Sequence, residues 1–513
     1  MKRFIILLTA VLSFVLPSNS QEQKKKSISI KHADNFNFKK DQQIYILTGN
    51  VFLIHKNLKM YCDTAYKYNK TNTIKAFGNI HIIQNDSLHM RGDKLTYDGN
   101  TRFAKVRENV MLNDKKMTLT SNYLNYDAKK NIGYYKHFGT VKDSINTLTS
   151  ITGQYYANEN YVTFQDSVVV VNPEYTLSSD TLKYTTQTKI VYITGPTNIV
   201  GEKDTLYTEK GWFNTISKQV ELSKKNEAKR ESYICKGEYI FIDKYKETIL
   251  IKDNGVLKDT TNNLMIKANL IRAFKDKGYA YATDKAQLIH IDKNNDSLFM
   301  HADTLSLKKD TVNTVMKGYY NVKFFKSSMQ GLCDSLSYSL KDSLVTMHNN
   351  PIVWVSDNQI TGDIIRLETG AKALSKFYVD NNALIVTEAD KGMYNQIKGR
   401  NMVGYFKNNF IDFIDVIGNG ELIYFPIEKG LVTGLNKMRC SNIKIFMDKK
   451  KLSKVKYIQN PDGTIFPLSK VDAKEMKLRN FRWEEYYQPK SKDDIFIKKE
   501  IPNETKSSLK KKL

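Results

Sequence analysis

Acidic side chains recur along this chain at a nearly fixed interval, and carboxylates at fixed spacing could bind metal ions or work as acid–base pairs. The phrase MHADTLSLKKD, starting at Met300, returns as MRGDKLTYD from Met90, LTSNYLNYD from Leu119, LSSDTLKYT from Leu177 and ITGDIIRLE from Ile360. Its acidic position, used as a marker, falls at Asp34, Asp63, Asp93, Asn122, Gln154, Asp180, Lys210, Glu238, Asn269, Asp303, Asp334, Asp363, Arg400 and Ser441. Neither chemistry fits this pattern. Calcium ladders need glycine-rich nonapeptides, which are absent, and successive markers in an antiparallel stack would lie about 10 Å apart. No acidic position stands apart from the repeat as a catalytic pair would. The eight histidines are scattered, with His32 and His301 merely sharing one repeat position.

Cysteine gives no site either. Cys62, Cys333 and Cys440 occupy the position before the marker, and Cys235 lies two before Gly237. These residues are at least three repeats apart, beyond the reach of a disulfide, and no CxxC or HxxxH spacing suggests a metal. Nucleophile elbow, P-loop and dinucleotide fingerprint are all missing. The expectation is a protein that is not an enzyme, with no cofactor and no metal. The marker carboxylate is expected to accept hydrogen bonds from backbone N–H groups freed at a kink.

The elements that carry the marker explain the kink. A small residue precedes it almost everywhere (Ala33, Cys62, Gly92, Ser121, Gly153, Ser179, Gly237, Ala302, Gly362), Glu209 being the exception. Apolar residues follow two and four places on: Phe36 and Phe38, Leu95 and Tyr97, Leu124 and Tyr126, Leu182 and Tyr184, Leu305 and Leu307, Leu336 and Tyr338. Another sits three places before, as at Met90 and Met300. Alternation of this kind marks a strand with one buried face, but three back and two forward have opposite parity. A bulge or bend at the small-acidic step would return both sets to one interior. The second half of each unit reads TGNVFLI, FGNIHII, RENVMLN, NNPIVWV, NNALIVT or GNGELIYF, an apolar strand again interrupted by Gly, Asn or Pro.

Spacings near 30 residues give 14 markers. Some 28 strands at about 4.8 Å would stack to roughly 130 Å. The predicted fold is all-β, an elongated bent antiparallel β-jellyroll: a V-shaped stack of strands with a groove between its arms. Phe36, Phe38, Met90, Leu95, Tyr97, Leu124, Tyr126, Leu182, Tyr184, Met300, Leu305, Leu307, Leu336 and Tyr338 are its expected lining and the candidate lipid-binding residues. If the V closes, the same residues are core packing. If it stays open they form an apolar trough suited to acyl chains, with lysines at the rim suited to phosphates.

The chain has 513 residues, a net charge of +25, 31 Tyr and 24 Phe against 9 Pro, a composition that favours strands over disorder. It opens MKRFIILLTAVLSFVLPSNSQ, the layout of a secretory signal peptide over residues 1–20. Export directs the positive charge away from nucleic acid and towards other anionic partners. Residues 21–470 form the repeat region, as one, two or three consecutive domains. Residues 471–513 leave the pattern; LRNFRW, around Phe481 and Trp483, reads as a docking element or a cap, and KSSLKKKL as a disordered end.

Together the export signal, the MRGDKLTYD-type strands and the GNV- or NNPIVW-type strands resemble the organic-solvent-tolerance (OstA-like) family, over about residues 27–470. The resemblance implies a periplasmic protein of lipopolysaccharide transport that shields lipid A acyl chains. Lipopolysaccharide or another acylated glycolipid would then be its ligand. Inner- and outer-membrane transport proteins would be its partners through end-to-end strand contacts. Two alternatives stay open: an outer-membrane β-barrel, and an exported structural or glycan-binding β-solenoid.

Overall fold

The computed structural model describes residues 27–292, 295–355, 357–369, 374–407, 410–448 and 451–499. The expected signal peptide and the KSSLKKKL end lie outside them. The chain divides into two compact units, residues 1–162 and 163–513. Both are built from antiparallel strands, with short 3-10 turns in the C-terminal segment.

All the markers but Gln154 and Lys210 sit at a crease that divides a strand into two half-strands. In Leu58–Tyr68, Leu58, Met60 and Cys62 point inward before the crease, and Ala65 and Lys67 after it. The parity switch therefore falls where the alternation places it. The half-strands before the markers and their partners make one arm of the V (the leading arm); those after make the trailing arm.

The cause of the switch lies on the neighbouring strand. Thr48 pairs with Thr64 and Val51 with Cys62, so Gly49 and Asn50 together oppose only Asp63. Of the two expectations for the small-acidic step, the bend holds, while the extra residue of the bulge belongs to the GN strand. Gly49 and Asn50 have φ of 76° and 46°, and left-handed pairs recur at Gly78-Asn79, Glu108-Asn109, Asp253-Asn254, Tyr320-Asn321 and Asn381-Asn382. Glycine and asparagine tolerate this region best, which accounts for the GN, EN, DN and NN dipeptides.

The marker carboxylate holds that pair in place. Asn50 Nδ2 donates to Asp34 Oδ2 at 3.0 Å, Asn79 to Asp63 at 2.9 Å, Asn109 to Asp93 at 2.6 Å and Asn321 to Asp303 at 2.6 Å. Asn254 donates to Glu238 in the same way at 2.9 Å. The structural role stands, but the donor is a side-chain amide rather than a freed backbone N–H. The marker's own N–H is used too: Asp34 donates to Gly49 O at 2.9 Å and Asp303 to Tyr320 O at 3.0 Å.

Two markers need moving. Ser121 Oγ donates to Tyr123 O at 3.3 Å and Ser179 Oγ to Thr181 O at 3.1 Å, each hydroxyl capping the crease beside it. Ser150 makes the same bond to Thr152 O at 2.7 Å, and Thr208 to Lys210 O at 3.0 Å. The crease residues are therefore Ile151 and Glu209, not Gln154 and Lys210. Asn122, Ile151, Asp180, Glu209 and Glu238 then follow one another at 29 residues throughout. The small position is small because it faces the inside of the bend. A Cβ on Gly92 would come 2.5 Å from Val106 Cγ1, and one on Gly237 2.4 Å from Ile251 Cγ2.

In the second unit the segment after Pro467 runs back as a strap over the outside of the leading arm. Gln396 Nε2 donates to Met476 O at 2.8 Å while Leu478 N donates to Gln396 Oε1 at 2.8 Å. Gln359 clasps it likewise, donating to Arg482 O at 3.0 Å and accepting from Glu484 N at 2.7 Å. Farther along, Gln488 donates to Gln330 at 2.8 Å and the Phe496 ring packs 4.8 Å from that of His301. Phe481 and Trp483 each stand 5.3 Å from Tyr394, so LRNFRW docks on its own chain. Beneath the strap Ile423, Phe425 and Leu435 pack with Leu478 in a second small core.

Candidate functional site: the apolar interior between the arms

The inner faces of both arms are apolar along the repeat, while lysines and other charged groups stand on the outer faces and turns. That is the reverse of a membrane-spanning barrel, whose outward band is apolar and whose interior is polar. No helix among the described residues is long and apolar enough to cross a membrane.

Twelve of the fourteen residues expected to line the groove face this interior, in two different states. Met90, Leu95, Tyr97, Leu124, Tyr126, Leu182, Tyr184, Met300, Leu305 and Leu336 are buried, and Leu307 and Tyr338 are half-buried. Phe36 and Phe38 are 56% and 43% exposed. They pair with Leu47 and Tyr45, on the inward face of the edge half-strand Asn35–Lys39, and stack against Tyr45. Their exposure comes from position at an edge, where no further strand covers them.

The first unit is shut. In the register corrected above, the residue four places after the crease is Lys67, Tyr97, Tyr126 and Tyr155 in successive copies. Each tyrosine reaches from the trailing arm to the far end of the leading arm. Tyr97 OH lies 2.7 Å from His55 Nδ1, and Tyr126 OH donates to Gln84 Oε1 at 2.7 Å. Gln84 Nε2 passes the bridge on to Asn131 Oδ1 at 2.8 Å and Ala128 O at 3.3 Å. Tyr155 OH donates to the Asp114 carboxylate. Burial drives the phenols of Tyr97, Tyr126 and Tyr155 far above the ordinary tyrosine range, and Tyr135, bonded to Ser150 at 2.6 Å, up to about 12. All of these hydroxyls stay neutral donors at any physiological pH. The opposing apolar residues Leu53, Met60, Ile82, Leu112 and Leu119 are at most 3% exposed, so the space between the arms is filled.

The second unit departs from this over its middle copies. Four places after the crease now come Phe213, Ile242, Ala273 and Leu307. The bridging hydroxyl is gone and, at Ala273, so is the bulk. Opposite them on the leading arm, Leu206, Leu257, Ile266 and Leu298 are only partly buried. Leu257, Ile266, Ala280, Ala282, Leu288, Met300, Leu305 and Met316 line a small apolar space of about 30 Å³. Beyond it the interior closes again: Val353, Ile360, Phe377, Ile385 and Ile414 are all at most 2% exposed.

The cysteines are free thiols, buried at Cys62, Cys333 and Cys440 and half-buried at Cys235. Burial pushes Cys62, Cys235 and Cys333 up to about 12, far from a nucleophilic thiolate. Cys440 does the work of a serine, its thiol donating to Asn442 O at 3.0 Å. Among the described residues no group of three or more His, Cys, Asp or Glu could hold a metal ion.

Compared with known families, residues 25–180 match the model described as OstA-like protein. No curated protein matches the chain. Among solved structures, LptH, the LptA homologous periplasmic component of the lipopolysaccharide transport device from Pseudomonas aeruginosa, aligns at 16% identity with a TM-score of 0.12, covering 33% of this chain and 81% of that one. The OstA-like match ends at the crease of Asp180, whereas creased strands of the same make continue to Ser441, whose N–H donates to Gln459 O at 3.1 Å. The pattern of small residue, crease and αL pair seen within the matched segment is thus repeated well outside it.

Proposed function

We propose that this protein is a periplasmic carrier of the lipopolysaccharide-transport type, holding the acyl chains of an acylated glycolipid between its arms and bridging towards the outer membrane. The observation that carries the reading is the apolar inner face, kept in register by the crease from copy to copy and combined with an OstA-like sequence. Such a face has no catalytic constellation and offers what acyl chains need, burial without polar cost. Met300, Leu305, Leu307, Leu336 and Tyr338 would line the ligand. The exposed Lys275 and Lys277 on a turn, and Lys308 near the end of the strand Thr304–Lys309, stand at the rim, where headgroup phosphates would lie.

The reading includes partners. The edge half-strands Asn35–Lys39 and Asp462–Pro467 are exposed along their length, and strand addition there would join the protein to transport proteins of either membrane. Mass spectrometry of material co-purifying with the native protein tests the ligand: an acylated glycolipid near one per chain is expected. Lipid-free protein, or protein loaded only with unacylated polysaccharide, contradicts the proposal.

A further inference from the structure

We infer that acyl chains lodge only in the middle of the second unit, between the half-strands of residues 197–345, and that the first unit is a locked segment that takes none. This rests on the carrier reading above and adds to it which part of the interior carries.

Sequence and burial agree on where the interior opens. In the copies creased at Asp93, Asn122 and Ile151, tyrosine stands four places on and ties the arms together. In those creased at Glu209, Glu238, Asn269 and Asp303, the same place holds Phe213, Ile242, Ala273 and Leu307, which cannot hydrogen-bond across the mouth. On the adjoining strand Tyr279–Thr283, Ala280 stands beside Ala273; in the first unit the same small place, Ala104 or Gly133, stands beside Tyr97 or Tyr126, so only here are both neighbours small. The outcome is visible in the side chains: Ile199, Leu206, Leu257 and Ile266 are half-buried, whereas the equivalent row in the first unit, from Leu53 to Val141, is buried, and the row is covered again at Leu288, Met300 and Phe324; one position farther out, Leu298 and Met329 are half-buried where Leu58 and Leu88 are buried.

Opening the first unit would strip Gln84 Oε1 of its phenol donor inside an apolar space, and acyl chains offer that buried acceptor nothing in return. In the middle of the second unit a chain would instead cover apolar surface already left partly in water. Both terms favour the same stretch.

The test uses the full chain with purified lipopolysaccharide. A benzophenone amino acid replaces Leu257, Leu307 or Tyr338 in one set, and Leu95 or Tyr126 in the other. Lipid adducts are expected at the first set at least tenfold above the second. Because a bulky residue at Leu95 or Tyr126 can unfold the first unit, hydrogen exchange on the unsubstituted protein accompanies it. Lipopolysaccharide should slow exchange in Thr248–Asp259, Leu264–Phe274 and Thr304–Lys309, and leave Thr73–Gln84 and Thr118–Asp127 unchanged. Equal adducts and protection in both units would overturn the localisation while leaving the carrier reading intact. Adducts and protection in neither would overturn both.

Discussion

Removing one oxygen atom from the first unit gives a sharp test of the lock. Tyr126 is 1% exposed and Gln84 3%, and the phenol donates to Gln84 Oε1 at 2.7 Å. Tyr126→Phe keeps the ring and its packing but leaves Gln84 Oε1 with no donor in an apolar space. The expected loss is about 1–3 kcal/mol, the penalty for an unpaired buried acceptor. Gln84→Met leaves the phenol unpaired instead and also removes the bonds to Asn131 Oδ1 and Ala128 O, so it should cost more. The double variant replaces both partners by apolar groups of like shape and should cost well under the sum, with a coupling of about 1 kcal/mol or more. Trp212, Trp354 and Trp483 all lie in the second unit, so tryptophan fluorescence would miss the effect. Hydrogen exchange in Thr73–Gln84 and Thr118–Asp127, with urea unfolding followed by circular dichroism, reads it directly. Additive single and double costs, or a silent Tyr126→Phe, would refute the bridge as a stabilising element.

Four other outcomes are expected. Asn79→Ala should lose about 1–3 kcal/mol, from the broken bond to Asp63 and the left-handed φ, and Asn79→Gly less because glycine relieves the backbone term; equal losses in urea midpoints would contradict the αL contribution. Hydrogen bonds from Lys224 and Lys225 hold Glu209 down to about 2 from its ordinary 4.5, so its contribution is complete above pH 4.5 and lost as pH falls towards 2. Glu209→Gln should therefore narrow its deficit against the parent protein between pH 6 and pH 3 in urea unfolding, and an unchanged deficit would count against the pairing. Thiols at about 12 should leave Cys62 and Cys333 unmodified by iodoacetamide at pH 8 until the chain is denatured, and rapid labelling of folded protein would show that they are open. Ending the chain after Pro467 should uncover Ile423, Phe425 and Leu435, raising exchange in Ile352–Val355 and Ala383–Asp390 and dye binding to exposed apolar surface; no change in either would remove the strap's role.

The crease was legible from the sequence because alternation is unforgiving: Met90 and Leu95 can share one interior only if parity switches between them. Its mechanism was less so. The switch needs an extra residue, and nothing in MRGDKLTYD reveals that the neighbouring FGNIHII supplies it; only the recurring GN, EN and NN dipeptides hint at left-handed backbone. Gln154 and Lys210 look like markers only because they are polar, whereas Ile151 shows that the crease needs a small neighbour more than a carboxylate. The strap left a trace that went unused. NNPIVWV and NNALIVT are continuous apolar runs, unlike the alternating TGNVFLI, and a strand apolar on both sides must be covered on both. Ile352–Val355 is indeed buried at every residue, beside the segment that Gln359 clasps. The difference between shut and open interior was also written in the chain, as Tyr97, Tyr126 and Tyr155 against Ile242, Ala273 and Leu307. It could be read only once the marker register was right.

The most direct measurement of the central claim is a structure of the full chain determined with lipopolysaccharide bound. Acyl density should run between Leu257, Ile266 and Leu298 on one arm and Ala273, Leu307 and Met316 on the other, with the Tyr97 and Tyr126 bridges intact. Acyl density threading past Leu95 and Tyr126, or lipid seated only on the outer faces of the arms, would contradict it.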